Sequence, residues 1–158
     1  MEKKYILTDD VIDFNGHTLH RIKAVRDFDC VKAGVLGGFI ESEKNLYHDG
    51  DAWVSGNARV SGDAWVSENA WVSGDARVSG DAQVYGDADY TTVHGFGRYF
   101  RTTTFFRCNN GVVRCQCGCF YGSIDEFRAK VRETHGSSKY AKEYLMIADL
   151  MELHFKED

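Results

Sequence analysis

The side chains best suited to chemistry in this chain are arginines and large aromatics set at a regular interval. From residue 50 to 88 a six-residue unit recurs as GDAWVS, GNARVS, GDAWVS, ENAWVS, GDARVS and GDAQVY, and its fourth position holds Trp53, Arg59, Trp65, Trp71, Arg77 and Gln83 in turn. A guanidinium presents a planar fork of donors to phosphate or carboxylate, and an indole face stacks on flat groups. Together they suit an anion that carries a ring, such as a nucleotide. A second polar patch follows the repeat: His94, Arg98, Arg101, Thr102, Thr104, Arg107 and Arg114, with backbone amides offered at Gly95 and Gly97. Arg, Thr and glycine amides are what phosphate oxygens seek. Solvated strand edges account for the same arginines equally well, and Gly95-Phe96-Gly97 is too short for a dinucleotide fingerprint and lacks a Walker-type lysine.

The cysteines raise a metal question. Cys115, Cys117 and Cys119 alternate along one strand face, and Cys108 lies across a turn from them. Structural zinc sites usually draw on CxxC knuckles, whereas cysteines two apart on a strand stand nearly 7 Å from one another and behave as small buried hydrophobes. Packing is the first reading. Zinc held by Cys108, Cys115 and Cys117 with His135 or His94 is the alternative. No other cofactor is implied. Catalysis has little support, because no nucleophile, base and orienting acid can be assembled by spacing.

The elements that must position these residues follow from the repeat. In each unit Val (54, 60, 66, 72, 78, 84) stands two residues after Ala (52, 58, 64, 70, 76, 82), so on an extended strand both face inward and the fourth position faces out. Gly with Asp or Asn separates the units, Glu68 replacing Gly once, and these types tolerate the positive φ of a corner. Short strands joined by corners at fixed period make a parallel β-helix.

These Val/Ala hexads resemble the hexapeptide-repeat family, and the segment from Asp29 through VKAGVLGGFIESEKNL resembles the opening of bacterial and phage proteins of that type. The resemblance implies a left-handed β-helix with three hexads, about eighteen residues, per coil, hence about two coils here. That coil length stacks Trp53 on Trp71 and Arg59 on Arg77, and places Tyr47 beneath Trp65 and Gln83. Guanidiniums on adjacent rungs, about 4.8 Å apart, repel, so either Asp51, Asp63, Asp75 and Asp81 at nearby corners offset them or a bound anion does. The family typically forms trimers with ligand sites between prisms, and three outward indoles call for a partner, by interface burial first and ligand stacking second. Family acyltransferases use a histidine on a coil, and residues 49–89 contain none. On different walls, the tryptophans and arginines are expected to meet only across a subunit interface. Open strand edges on so short a solenoid are expected to be capped or joined to other copies.

Residues 1–49 read as an N-terminal β cap, with Asn15-Gly16 as a tight hairpin turn. Residues 50–89 are the β-helix, and 90–158 a small α+β module. That module comprises a hairpin over Phe105–Cys119, a helix from Ile124 to Thr134 opened by the Ser123/Glu126 capping box, and a longer helix over Lys139–Phe155. The tail from Arg101 resembles a module of uncharacterised proteins of bacteriophages and other mobile elements, chiefly in CGCFYGSIDEF and ETHG, which implies a phage origin and no particular chemistry.

The formal charge of −5 argues against general duplex-DNA or anionic-membrane binding. The start lacks a signal-peptide pattern and no apolar run spans a bilayer, so a cytoplasmic location, the host cytoplasm if phage-encoded, is expected. The resulting expectation is a mainly β, non-catalytic phage accessory protein. It forms a homotrimer and binds a small nucleotide-like anion, sequestering a host defence signal. Trp53, Trp71, Arg59, Arg77, His94, Arg98, Arg101, Thr102, Thr104 and Arg107 are the contacts. The rivals are an inhibitor that grips a host protein through residues 90–158, and a hexapeptide-type acyltransferase.

Overall fold

The computed structural model describes residues 2–14, 16–86, 89–98, 100–109, 111–117 and 120–156. The chain opens with an antiparallel hairpin, β1 (Tyr5–Phe14) and β2 (His17–Ala24), in which Phe14 lies opposite His17. Asn15, half of the expected turn pair, lies outside the described residues, while Gly16 takes φ +84 as such a turn requires. Tyr5-Ile6-Leu7 and Val11 to Phe14 are one strand interrupted by an irregularity between Leu7 and Val11. Strand β3 (Leu36–Ile40) pairs antiparallel with β2 and parallel with the first arginine strand of the repeat. The hairpin is thereby joined edgewise to the solenoid.

Each hexad supplies one two-residue strand: β4 (Trp53–Val54), β5 (Arg59–Val60), β6 (Trp65–Val66), β7 (Trp71–Val72), β8 (Arg77–Val78) and β9 (Gln83–Val84). Successive strands belong to three different sheets, and each pairs with the strand eighteen residues on: Trp53 with Trp71, Arg59 with Arg77, Trp65 with Gln83. All six repeat valines and all six repeat alanines are fully buried. The outward position is left to face the walls' surroundings. Corner glycines 50, 56, 62, 74 and 80 sit at φ between +63 and +78. Glu68 occupies the same kind of corner at φ +57, where a side chain costs about 1 kcal/mol. Glu68→Gly is therefore expected to raise the unfolding free energy by roughly 0.5–1 kcal/mol, read as a higher urea midpoint at unchanged slope.

The hairpin closes the solenoid's N-terminal end. Tyr5, Ile22, Phe28 and Val31 join the valines in one core, and the Tyr5 hydroxyl donates to the Leu46 carbonyl at 2.6 Å. Beneath them the fully buried Lys4 donates its ammonium to the Ala52 carbonyl at 2.6 Å and the Gly50 carbonyl at 3.3 Å. Burial first, then Arg26, lowers the Lys4 pKa to about 8, against the pull of Asp51 and Asp49. The unfolded chain keeps that proton up to about pH 10.4. Between pH 8 and that limit the unfolded state binds more protons, so this group's contribution to stability rises with pH. Tyr5 acts oppositely above pH 10, because burial, then Glu43, raises its pKa and the folded state retains a proton the unfolded chain loses. From pH 8 to 9.5 the unfolding free energy is expected to gain about 1–2 kcal/mol from Lys4. Because burial raises the pKa of the Cys115 and Cys108 thiols, whose contribution to stability falls over the same range, the gain is read as the difference between urea titrations of wild type and of Lys4→Met.

At the other end β10 (Tyr90–Phe96), β11 (Arg101–Arg107), β12 (Val113–Cys117) and β13 (Phe120–Ser123) form a four-stranded antiparallel sheet, followed by α1 (Ile124–His135) and α2 (Lys139–His154). The expected hairpin is the centre of this larger sheet; Asn110 of its turn and Cys119 at its end lie outside the described residues. The Ser123 hydroxyl accepts from the Glu126 amide at 3.1 Å and the Glu126 carboxylate from the Ser123 amide at 2.9 Å, the reciprocal cap expected. Strand β11 runs between two cores. Phe106, with Cys108 just beyond the strand, enters the solenoid core, whereas Phe105 packs with Cys115, Phe127 and Tyr144 under the helices. The last coil is sealed by Cys108 bridging to Ala82, the Asn109 amide donating to the Asp81 carbonyl at 2.9 Å, and the Ser79 hydroxyl donating to Gln116 at 2.6 Å. The chain's own termini thus cover both ends of the short solenoid.

Candidate functional site

The arginine wall does not face open solvent. Strand β1 ends over it, so that the Phe14 ring lies 5.0 Å from the Arg59 guanidinium carbon and 5.0 Å from that of Arg77. The tip of the β10–β11 hairpin approaches along the same wall, because the Thr104 hydroxyl accepts the Arg77 backbone amide at 2.9 Å and anchors β11 there. Between wall, hairpin and tip lies a cleft of about 600 Å³, lined among others by Arg21, Arg59, Arg77, His94, Arg101 and Thr102. Arg59 and Arg77 of the repeat and His94, Arg101 and Thr102 of the second patch thus line one cleft within one chain.

Positive charge predominates in this cleft, although the Asp75 carboxylate also lines it. Among the described residues no carboxylate forms an ion pair with Arg59 or Arg77; Asp63, one of the expected counter-charges, pairs instead with Lys44 at 2.8 Å. Burial, then Arg59 and Arg101, lowers the pKa of Arg77, and Asp75 opposes this without a direct contact. Arg21 is tied to the Asp10 carboxylate at 3.0 Å and to the Gly37 carbonyl at 2.7 Å, with its plane over Phe39 at 4.3 Å. Its forked group is held in place beside the other two. His94 Nδ1 and the Thr102 hydroxyl share a hydrogen bond of 2.7 Å at the mouth. Phe100, at φ +54 and 66% exposed, also lines the cleft and offers an uncovered aromatic face.

The other expected contacts are placed elsewhere. The three indoles are not all outward: Trp53 is 1% exposed, enclosed by Phe28 at 5.3 Å and Tyr5 at 6.4 Å, because the N-terminal cap folds over its wall. Trp71 above it is half-buried, and its carbonyl accepts from the Tyr90 hydroxyl. Only Trp65, 36% exposed and 5.6 Å from the Tyr47 ring, stands on an open wall. Thr104 is buried in its anchoring role. Arg107 pairs with Asp89 at 3.3 Å and lies over Phe155 at 5.2 Å. Arg98 lines a different cavity, and Arg114 lies beside Tyr121 and Cys108. Gly97 keeps no side chain because a Cβ there would collide with the Tyr144 hydroxyl, which donates to the Phe96 carbonyl at 3.1 Å.

The sheet also parts the cysteines. Cys108 enters the solenoid core and Cys115 the helix-side core, on opposite faces, so they cannot share an ion with Cys117 and His135. Among the described residues no group of three or more His, Cys, Asp or Glu could hold a metal. Burial raises the Cys115 thiol pKa, as suits packing.

Phe14, Arg21 and Phe100 were not legible as site residues. The turn residues announce a hairpin, but not that it folds back across one wall of the solenoid.

A family model described as the YdcK beta solenoid repeat matches residues 52–68 and 70–86. This is a β-solenoid repeat protein. The match covers the walls that carry both arginines and neither flanking unit. No curated protein gives a match. Among the described residues no helix is long and apolar enough to cross a membrane.

Proposed function

We propose that this β-solenoid protein is a non-catalytic binding protein that captures a small nucleotide-like anion in the cleft over Arg59 and Arg77. The carrying observation is two neighbouring guanidiniums under one phenylalanine ring, without a carboxylate partner among the described residues. An anion entering there relieves their repulsion and gains charge-assisted hydrogen bonds. Arg101, Arg21 and the His94–Thr102 pair surround the phosphates, and the exposed Phe100 face stacks on a base. The cleft's volume suits a ligand of that size. Sequestration of a host signalling nucleotide is the biological use proposed, on the resemblance of the tail to modules of phage proteins.

The three-wall register supports about two coils, and the resemblance to hexapeptide-repeat proteins implies that they wind left-handed. The exposed Tyr47, Trp65 and Tyr85 on one wall support burial against further copies, a trimer in keeping with hexapeptide-repeat proteins. A second reading, a grip on a host protein through the C-terminal module, is favoured by one observation: Met146, Leu150 and Leu153 stand exposed along one stripe of α2.

Native mass spectrometry of freshly purified protein, followed by titration with mono-, di- and cyclic nucleotides, tests the first reading. A trimer that retains or takes up a nucleotide-sized anion is expected. An assembly that binds neither nucleotides nor inorganic phosphate overturns it and moves the function to the α2 stripe.

A further inference from the structure

A second cavity, of about 250 Å³, opens between the C-terminal sheet and the two helices. Its buried lining is apolar: Phe127, Val131 and the Tyr144 ring, with Phe120 beside them and the half-buried Cys117 thiol, which accepts from the Thr103 hydroxyl at 3.2 Å. Its exposed lining is cationic, with Arg98, Arg101 and Lys130 at the opening and His135 stacked on Tyr144 at 5.8 Å. Among the described residues Arg98, which lies 5.9 Å over the Tyr140 ring, has no carboxylate partner, and Lys130 has one, Glu133 at 3.8 Å. Cations over an apolar floor match an amphipathic anion with its charge outward.

We propose that this cavity binds a small organic carboxylate, its carboxylate held at the rim by Arg98 and Lys130 and its hydrocarbon lying on Phe120, Phe127 and Val131 above the Cys117 thiol. On a liquid-volume scale the space holds about eight heavy atoms, an aryl or short alkyl acid and not a lipid chain. The site stands independently of the nucleotide reading: of the residues lining the two cavities only Arg101 is shared. Burial of the ring on the aromatic floor supplies affinity, and the rim supplies the charge preference.

Cys117 is the reporter, and the exposed Cys30, beside the Asp29 carboxylate at 3.8 Å, is an internal control. Intact protein is treated in parallel with iodoacetate and with iodoacetamide. In both, the thiolate sulfur displaces iodide and the thiol proton passes to buffer; site-resolved mass spectrometry reads each cysteine. The iodoacetate-to-iodoacetamide rate ratio is expected to be roughly tenfold higher at Cys117 than at Cys30, because the anionic reagent is drawn to the cationic rim. Phenylacetate should slow labelling of Cys117 and not of Cys30, and neutral phenylacetamide should protect far less. The double variant Arg98→Gln/Lys130→Gln, with its melting curve checked, should lower the ratio at Cys117 several-fold and leave that at Cys30 unchanged, Arg101 still standing at the opening. Equal ratios at the two cysteines, or equal protection by acid and amide, overturn the proposal in favour of an apolar cavity without charge preference.

Discussion

Replacing Arg59 and Arg77 together by alanine is expected to weaken the proposed nucleotide binding by about 10²–10⁴-fold and to leave the melting temperature within a few degrees of wild type. A charge-assisted hydrogen bond to phosphate is worth about 1.5–3 kcal/mol, and losing one from each guanidinium removes about 3–6 kcal/mol, at 1.4 kcal/mol per tenfold. Stability responds weakly because opposite effects meet. The variant forfeits two contacts with Phe14, each worth about 0.5–1 kcal/mol, and gains relief from like charges on neighbouring rungs. Calorimetric titration beside a thermal melt reads both quantities. A melt that collapses with the affinity would make the arginines structural; unchanged affinity would remove the cleft from the function.

Phe106→Ala is expected to cost about 3–5 kcal/mol, which lowers the melting temperature by roughly 10–15 °C for a chain of this size. The reason lies in the two-sided burial of β11. Phe106 is fully buried in the solenoid core, next to Cys108 and the last repeat valines, and closes an end that would otherwise expose them. Hydrogen exchange distinguishes it from an ordinary core truncation. Phe106→Ala should speed exchange of the Ser67 amide, which bonds to the Val84 carbonyl at 3.0 Å across the last rung, while Phe105→Ala, at similar total cost, should loosen α1 and α2 first. If both variants exchange alike, the two cores unfold as one and the plug has no separate role.

How much was legible follows from where the information sits. Each hexad contains its own inward valine and alanine, outward residue and corner, so local period sufficed to align Trp53 with Trp71 and Arg59 with Arg77 once the coil length was set. The Ser123/Glu126 cap is similarly local, and α1 begins where it says. The exposure of an outward residue is different in kind. Trp53 and Arg59 hold the same repeat position, yet one is sealed under Phe28 and Tyr5 while the other lines a cleft. Which wall the N-terminal cap covers depends on contacts between residues up to about fifty positions apart. No spacing encodes that.

The cysteines make the same point on a smaller scale. Alternation told that Cys115 and Cys117 share a face, but Cys108 stands past the turn, where pairing with Ala82 of the last coil, and not strand period, decides its direction. By itself, then, the sequence determined the β-solenoid, its inward valines and alanines and the capped helix that follows, because periodic burial and capping act over a few residues, while the three walls and the stacked arginines followed from the coil length that the resemblance to hexapeptide repeats implies. Only the tertiary structure decided that His94, Arg101 and Thr102 face Arg59 and Arg77 in one cleft under Phe14 and that Trp53 is core. Both depend on how the terminal units pack against the solenoid, where burial of Tyr5, Phe28 and Phe106 selects one arrangement.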